Sequence, residues 1–183
     1  MTTLVFEKNS MLNTTILCNS SPSPAYTVST RWPTSPTNIR AANTDELVGR
    51  INPRTFMPDT IMLPHAYGGE ELRVSKWLKR EKLGDGSPAS VLSLGEERRF
   101  LVVHKEYGLA LLAADTKTIL AHWRPETSSS RLALIISHGL EKFETEILVA
   151  FLFEEGRLRS GKGNNSGGVA SAISGALMGE SVL

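Results

Sequence analysis

Gly156, Gly161 and Lys162 stand at the spacing G-x-x-x-x-G-K inside the stretch EILVAFLFEEGRLRSGKG, residues 146–163. Such a loop would cradle a nucleotide: backbone N–H groups wrap the phosphates, the lysine reaches the β/γ oxygens, and a hydroxyl on the next residue binds magnesium. Here the next residue is Gly163, only twenty residues follow it, and the chain before it lacks a βαβ rhythm. Phosphate-loop chemistry therefore has the spacing and none of the context.

The other reactive residues are scattered. His65, His104, His122 and His138 form no H-x-H or H-x-x-x-H pair, and the strand alternation around His104 and His122 makes them ordinary sheet-face positions. Ser137 and His138 are neighbours in sequence, which is no sign of a catalytic couple, and no G-x-S-x-G elbow occurs. Cys18 is the only cysteine, so neither an intrachain disulfide nor a cysteine-based zinc site can form. We expect no catalytic residue, no metal and no cofactor.

One charged cluster stands out. Arg73, Lys76, Lys79, Arg80 and Lys82 fall within ten residues, RVSKWLKREK, where Val74, Trp77 and Leu78 share a helical face at i, i+3, i+4. The pattern predicts a short amphipathic helix. Its basic side is either a solvated cover over one end of the fold or a surface for anionic phospholipid headgroups.

Elements of ordinary globular composition must position these groups. Of the 183 residues, 40% are hydrophobic and 21% charged, which is enough for one real core without disulfides. A formal net charge of +1 excludes a general nucleic-acid binder, so any basic site is a local patch. The longest apolar run, Ile147 to Phe153, is far short of the roughly 20 residues that cross a bilayer. The N-terminus lacks a signal-peptide pattern, so the expected location is intracellular, cytoplasmic or peripheral to a membrane.

From the start to about Ile136, short alternating runs such as TLVFE, NSMLN, TTIL, AYTVSTRW, ELVGRIN, TIMLP, ASVLSL, RRFLVVHK, LALLAAD, KTILAHW and RLALIIS are separated by turn residues. In AYTVSTRW the residues Tyr26, Val28, Thr30 and Trp32 alternate at period two. The pattern predicts a mainly β fold, a single closed antiparallel barrel of about 10–12 strands. GDGSP reads as a turn with Gly86 at positive φ.

The segment from Glu141 to Leu158 is apolar all round, with Phe143, Ile147, Phe151 and Leu158 on one face and Leu148, Ala150 and Leu152 on others. As a helix it would be buried on every side and span about 27 Å, the length needed to thread a small barrel. Its content of Ile, Val and Phe equally suits a buried strand, and periodicity alone does not separate the two. The expected organisation is one domain over residues 1–159, with the central helix at about 141–158, and a Gly/Ser-rich tail over 160–183. Gly175 and Gly179 form a lone G-x-x-x-G in that tail, without the membrane-length helix that would give it meaning.

The order LVFEKNSMLNTTIL, AYTVSTR, DELVGRIN, VSKWLKRE, TILAHWRP and EILVAFLFEE, from about Thr3 to Arg159, is similar to a family of uncharacterised domains known mostly from mushroom-forming fungi. That family resembles the tubby C-terminal-like superfamily, which holds tubby, the phospholipid scramblases and the plant LURP-one-related proteins. The chain departs from the pattern at FLVVHKEYGLALL, where an aromatic-rich strand is expected. The resemblance implies a barrel around a hydrophobic helix and no established catalytic residues. Scrambling is disfavoured, because the scramblases' spanning helix and Cys-rich segment have no counterpart.

Three function classes follow. The first is a non-enzymatic module binding anionic phospholipid at Arg73, Lys76, Lys79, Arg80 and Lys82. The second is a protein-interaction or structural domain without a small ligand. The third is an enzyme whose site is assembled from separated residues.

Overall fold

The computed structural model describes residues 1–19, 21, 23–31 and 35–160. The expected tail, 160–183, lies outside the described residues from position 161 on, as do its G-x-x-x-G and the Trp32 of the expected alternation. Among the described residues the strands are β1 Thr2–Phe6, β2 Thr14–Cys18, β3 Pro24–Thr30, β4 Thr37–Ala41, β5 Leu47–Asn52, β6 Thr60–Met62 and β7 Glu71–Arg73. After a one-turn helix α1, Val74–Trp77, come β8 Leu78–Lys82, β9 Pro88–Leu94, β10 Glu97–His104, β11 Gly108–Leu112, β12 Ile119–Arg124 and β13 Ala133–Ile136. A 3-10 turn, Glu141–Phe143, leads into the long helix α2, Glu144–Arg159.

Turn chemistry sets several of these boundaries. Gly86 has φ +84° and closes the β8–β9 hairpin, its N–H bonded to Leu83 O at 2.9 Å, as expected of GDGSP. Gly95 takes φ +64° in the two-residue loop between Leu94 and Glu97, the left-handed position such a tight hairpin requires.

The strands form one sheet in the order β7-β6-β5-β4-β3-β2-β1-β13-β12-β11-β10-β9-β8. It is not closed, which corrects the expected closed barrel of about 10–12 strands. The reason is parity. Every pairing is antiparallel, so in a sheet of thirteen strands the two edges, β7 and β8, run in the same direction. A parallel pair needs a crossover of about a dozen residues or more, and only Val74–Trp77 separates these two. The sheet therefore has a seam, spanned by the covalent chain at α1.

The same stretch corrects the expected amphipathic helix. Only Val74–Trp77 is helical; Leu78–Lys82 pairs with β9 in the register Leu78↔Leu92 to Lys82↔Pro88. The helical face was real at Val74 and Trp77, which are buried, but Leu78 is also buried and begins a strand that covers an unpaired side of β9. NSMLN is not a strand, whereas TNIRA, with Ile39 as its single buried large residue, is one.

For the segment after Glu141 the helical reading holds. Ile147, Leu148, Val149, Ala150 and Phe151 are all fully buried, five consecutive residues covering every side of the helix. Phe151 meets Trp123 of β12 edge-on at 5.4 Å between centroids, and Tyr26 Oη of β3 donates to Glu144 Oε1 at 2.7 Å. A Cβ added to Gly49 of β5 would lie 2.8 Å from Val149, so a missing side chain sets the closest approach of helix and sheet. The sheet thus curls around α2 from both halves of its strand order. A helix fits where a strand does not because its backbone groups bond within the segment, whereas a lone central strand would bury them unpaired.

Candidate functional site

The five basic residues do not converge. All are exposed, Arg73 at the end of β7, Lys76 on α1, and Lys79, Arg80 and Lys82 on β8. Strand alternation then divides them. Arg80 follows Leu78 to the side facing α2, and its Nη2 donates to both carboxylate oxygens of Glu154 at 2.9 and 3.0 Å. That carboxylate, with a side chain only 3% exposed, also accepts from Ser90 Oγ at 2.9 Å and Arg157 Nε at 2.8 Å. Burial pulls the Arg80 guanidinium below its ordinary pKa while the facing Glu154 opposes the shift. Arg80 is a tie between the edge strand and the helix.

Lys79 points the other way. It lines a cavity of about 600 Å³ beside the seam, together with Lys76, Trp77, Tyr67, Leu72, Glu81 and the strand residues Val91, Ser93 and Arg98. The register explains the grouping, since Lys79 is paired with Val91 and Ser93 with Arg98. Three cations stand against one carboxylate, and Arg98 Nη2 lies 2.5 Å from Glu81 Oε2. Lys76 and Lys79 form no ion pair among the described residues, and neither do Arg73 and Lys82, which lie outside the cavity.

Neutral donors complete the wall. Trp77 is 6% exposed, and its buried Nε1 lies beside the Tyr67 hydroxyl, close enough to act on it as a donor. Tyr67 reaches across to Ser93, its Oη 3.5 Å from the carbonyl oxygen; burial raises its phenol pKa and the nearby Trp77 opposes this. Tyr67, Gly68 and Gly69 have φ of 54°, 69° and 71°. The glycines adopt this freely, but a tyrosine there holds a strained conformation of the kind that clusters at functional sites. The sequence reading missed Tyr67 and Arg98; the YGG triplet was the one visible signal for the former, and nothing local marks the latter.

Other groupings offer less. A cavity of about 430 Å³ at the C-terminal end of α2 has Met11, Ile51, Leu152 and Phe153 in its lining, but its arginines are already engaged, Arg157 Nε with Glu154 and Arg159 Nε with Glu155. Tyr107 lies between His104 and His122, with centroids 5.0 and 4.2 Å away, and burial lowers the His122 pKa. Among the described residues no group of three or more His, Cys, Asp or Glu could hold a metal ion, and no helix is long and apolar enough to cross a membrane. Gly156 of the phosphate-loop spacing lies inside α2, while Gly161 and Lys162 are outside the described residues.

A family model described as "Family of unknown function (DUF6593)" matches residues 9–160. No curated protein and no solved structure matches the chain.

Proposed function

Because the chain belongs to this family of unknown function, we propose from its own geometry that it is a non-enzymatic binding module for anionic phospholipid headgroups. The observation that carries the reading is a cavity lined by Lys76 and Lys79, neither of them ion-paired among the described residues, with Arg98 and Tyr67 beside them. A phosphate monoester supplies the negative charge that Lys76 and Lys79 lack, with Arg98, already bonded to Glu81, at its side. Arg73 and Lys82 would add long-range attraction, each basic residue near an anionic membrane contributing about 1 kcal/mol. Arg80 is removed from the ligand set, because its charge is matched by Glu154. Kinship with the tubby C-terminal-like superfamily belongs to the same proposal, supported by a C-terminal helix wrapped in one antiparallel sheet.

Co-sedimentation with phosphatidylcholine vesicles containing phosphatidylserine or a phosphoinositide tests the reading. Wild type pellets at low salt and Lys76→Glu/Lys79→Glu does not, with both proteins retaining their thermal transition. Raising ionic strength shortens the screening length from about 10 Å at 0.1 M to about 3 Å at 1 M, and binding within a shaped cavity survives better than binding to a diffuse patch. Equal pelleting of the two proteins, or no binding by wild type, would favour the interaction-domain reading instead.

A further inference from the structure

The loop between β5 and β6 carries Phe56 at 98% exposure and Met57 at 60%. Pro53 and Pro58 bracket this tip, and its base is tied down: Arg54 N donates to Asp59 Oδ1 at 2.9 Å and Arg54 Nη2 meets Glu71 Oε1 at 2.9 Å. Val74 N–H bonds Asp59 O at 2.9 Å, which fixes the loop to the one-turn helix that carries Lys76. Arg73 is paired across the strands with Thr60, the residue after Asp59. The base of the loop thus adjoins Arg73 and the start of α1, with Pro53 and Asp59 also lining the cavity at the C-terminal end of α2, and its apolar tip is exposed.

We infer that Phe56 and Met57 form a membrane anchor, inserting into the interfacial region of an anionic bilayer while the seam cavity holds a headgroup. This rests on the headgroup reading above. Size selects the partner. A stable protein interface buries about 800 Å² on each side, whereas a Phe side chain offers about 150–250 Å², so two side chains at one loop tip fall well short. Insertion of one or two bulky apolar groups next to unpaired Lys and Arg is instead the geometry of interfacial binding, where apolar burial and attraction to anionic lipid add.

Phe56→Ser/Met57→Ser separates the two readings, since both side chains are exposed and their loss leaves the core untouched. The variant is expected to bind phosphatidylserine vesicles about tenfold or more weakly than wild type, as loss of a buried Phe side chain implies, yet to bind soluble inositol trisphosphate unchanged. Lys76→Glu/Lys79→Glu should lose both. Phe56→Trp supplies a direct readout, with added emission that vesicles of bromine-labelled acyl chains quench and headgroup alone does not. If the loop variant pellets like wild type, or the new tryptophan is unquenched on bound vesicles, the anchor is overturned while the headgroup site stands. If wild type binds neither vesicles nor inositol trisphosphate, both readings fall. If it binds vesicles through the loop alone, with inositol trisphosphate ignored, the anchor survives and the headgroup site does not.

Discussion

Lys79 and Arg80 are neighbours on β8, and the two faces of that strand treat their charges in opposite ways. On the face toward α2, Arg80 meets a buried carboxylate that also holds Arg157 and Ser90. On the other face Lys79 opens into a cavity with Lys76 and Arg98 and has no ionic partner among the described residues. A cation facing a buried carboxylate is held by the fold, because removing it strands a charge in low dielectric. A cation in a solvated cavity contributes little to stability and is free to meet a ligand. The same period-two alternation that sorts apolar residues in and out of a core has sorted a basic cluster into structure and site.

The inner side breaks hardest at Phe151. Phe151→Ala should cost about 3–5 kcal/mol, because the residue is fully buried against Trp123; urea unfolding measures it, and a loss under 1 kcal/mol would mean that the sheet does not enclose the helix. Gly49→Ala should cost about 1–3 kcal/mol by overpacking, since the new methyl would press on Val149. An unchanged melting temperature would show that helix and strand can move apart there.

Arg80→Ala should cost about 1–3 kcal/mol, leaving Glu154 with fewer donors, while Lys79→Ala stays within about 0.5 kcal/mol. Vesicle binding should respond in the reverse order. Equal destabilisation by the two would erase the contrast between the faces.

The smallest effect is one of pH. Burial raises the pKa of Glu144 and of Glu146 above the ordinary carboxylate value, so the folded state favours their neutral forms. Their stabilising contribution is complete below the unfolded value of about 4.3 and is lost as pH rises through the raised folded values. Glu146→Gln should flatten that decline, whereas Lys79→Ala should leave it in place. A decline that persists in Glu146→Gln/Glu144→Gln would assign it to other groups.

Much of the sheet was legible in the sequence because alternation is local. RRFLVVHK, LALLAAD and KTILAHW are strands as short apolar runs between turn residues suggest, although β11 buries Leu109–Leu112 in succession, with Ala110 and Leu112 in a second apolar cluster. Three elements were not legible. TNIRA and ELR carry too few apolar residues to show a period, and LKREK was drawn into a helix by Val74 and Trp77 just before it. Those three short strands decide the parity of the sheet, so its seam was beyond reach until all were counted.

The amino-acid sequence by itself determined a mainly β chain, the glycine turns at Gly86 and the buried character of Ile147–Phe153. Each depends on φ preference or hydrophobicity, which residues carry wherever they sit. Tertiary structure alone decided that Ile147–Phe153 is helical, that β7 and β8 fail to pair, and that Arg98 joins Lys76 and Lys79 while Arg80 leaves them. Those outcomes depend on what lies opposite each residue across the fold, and partners as distant in sequence as Arg80 and Glu154, 74 positions apart, leave no mark on local pattern.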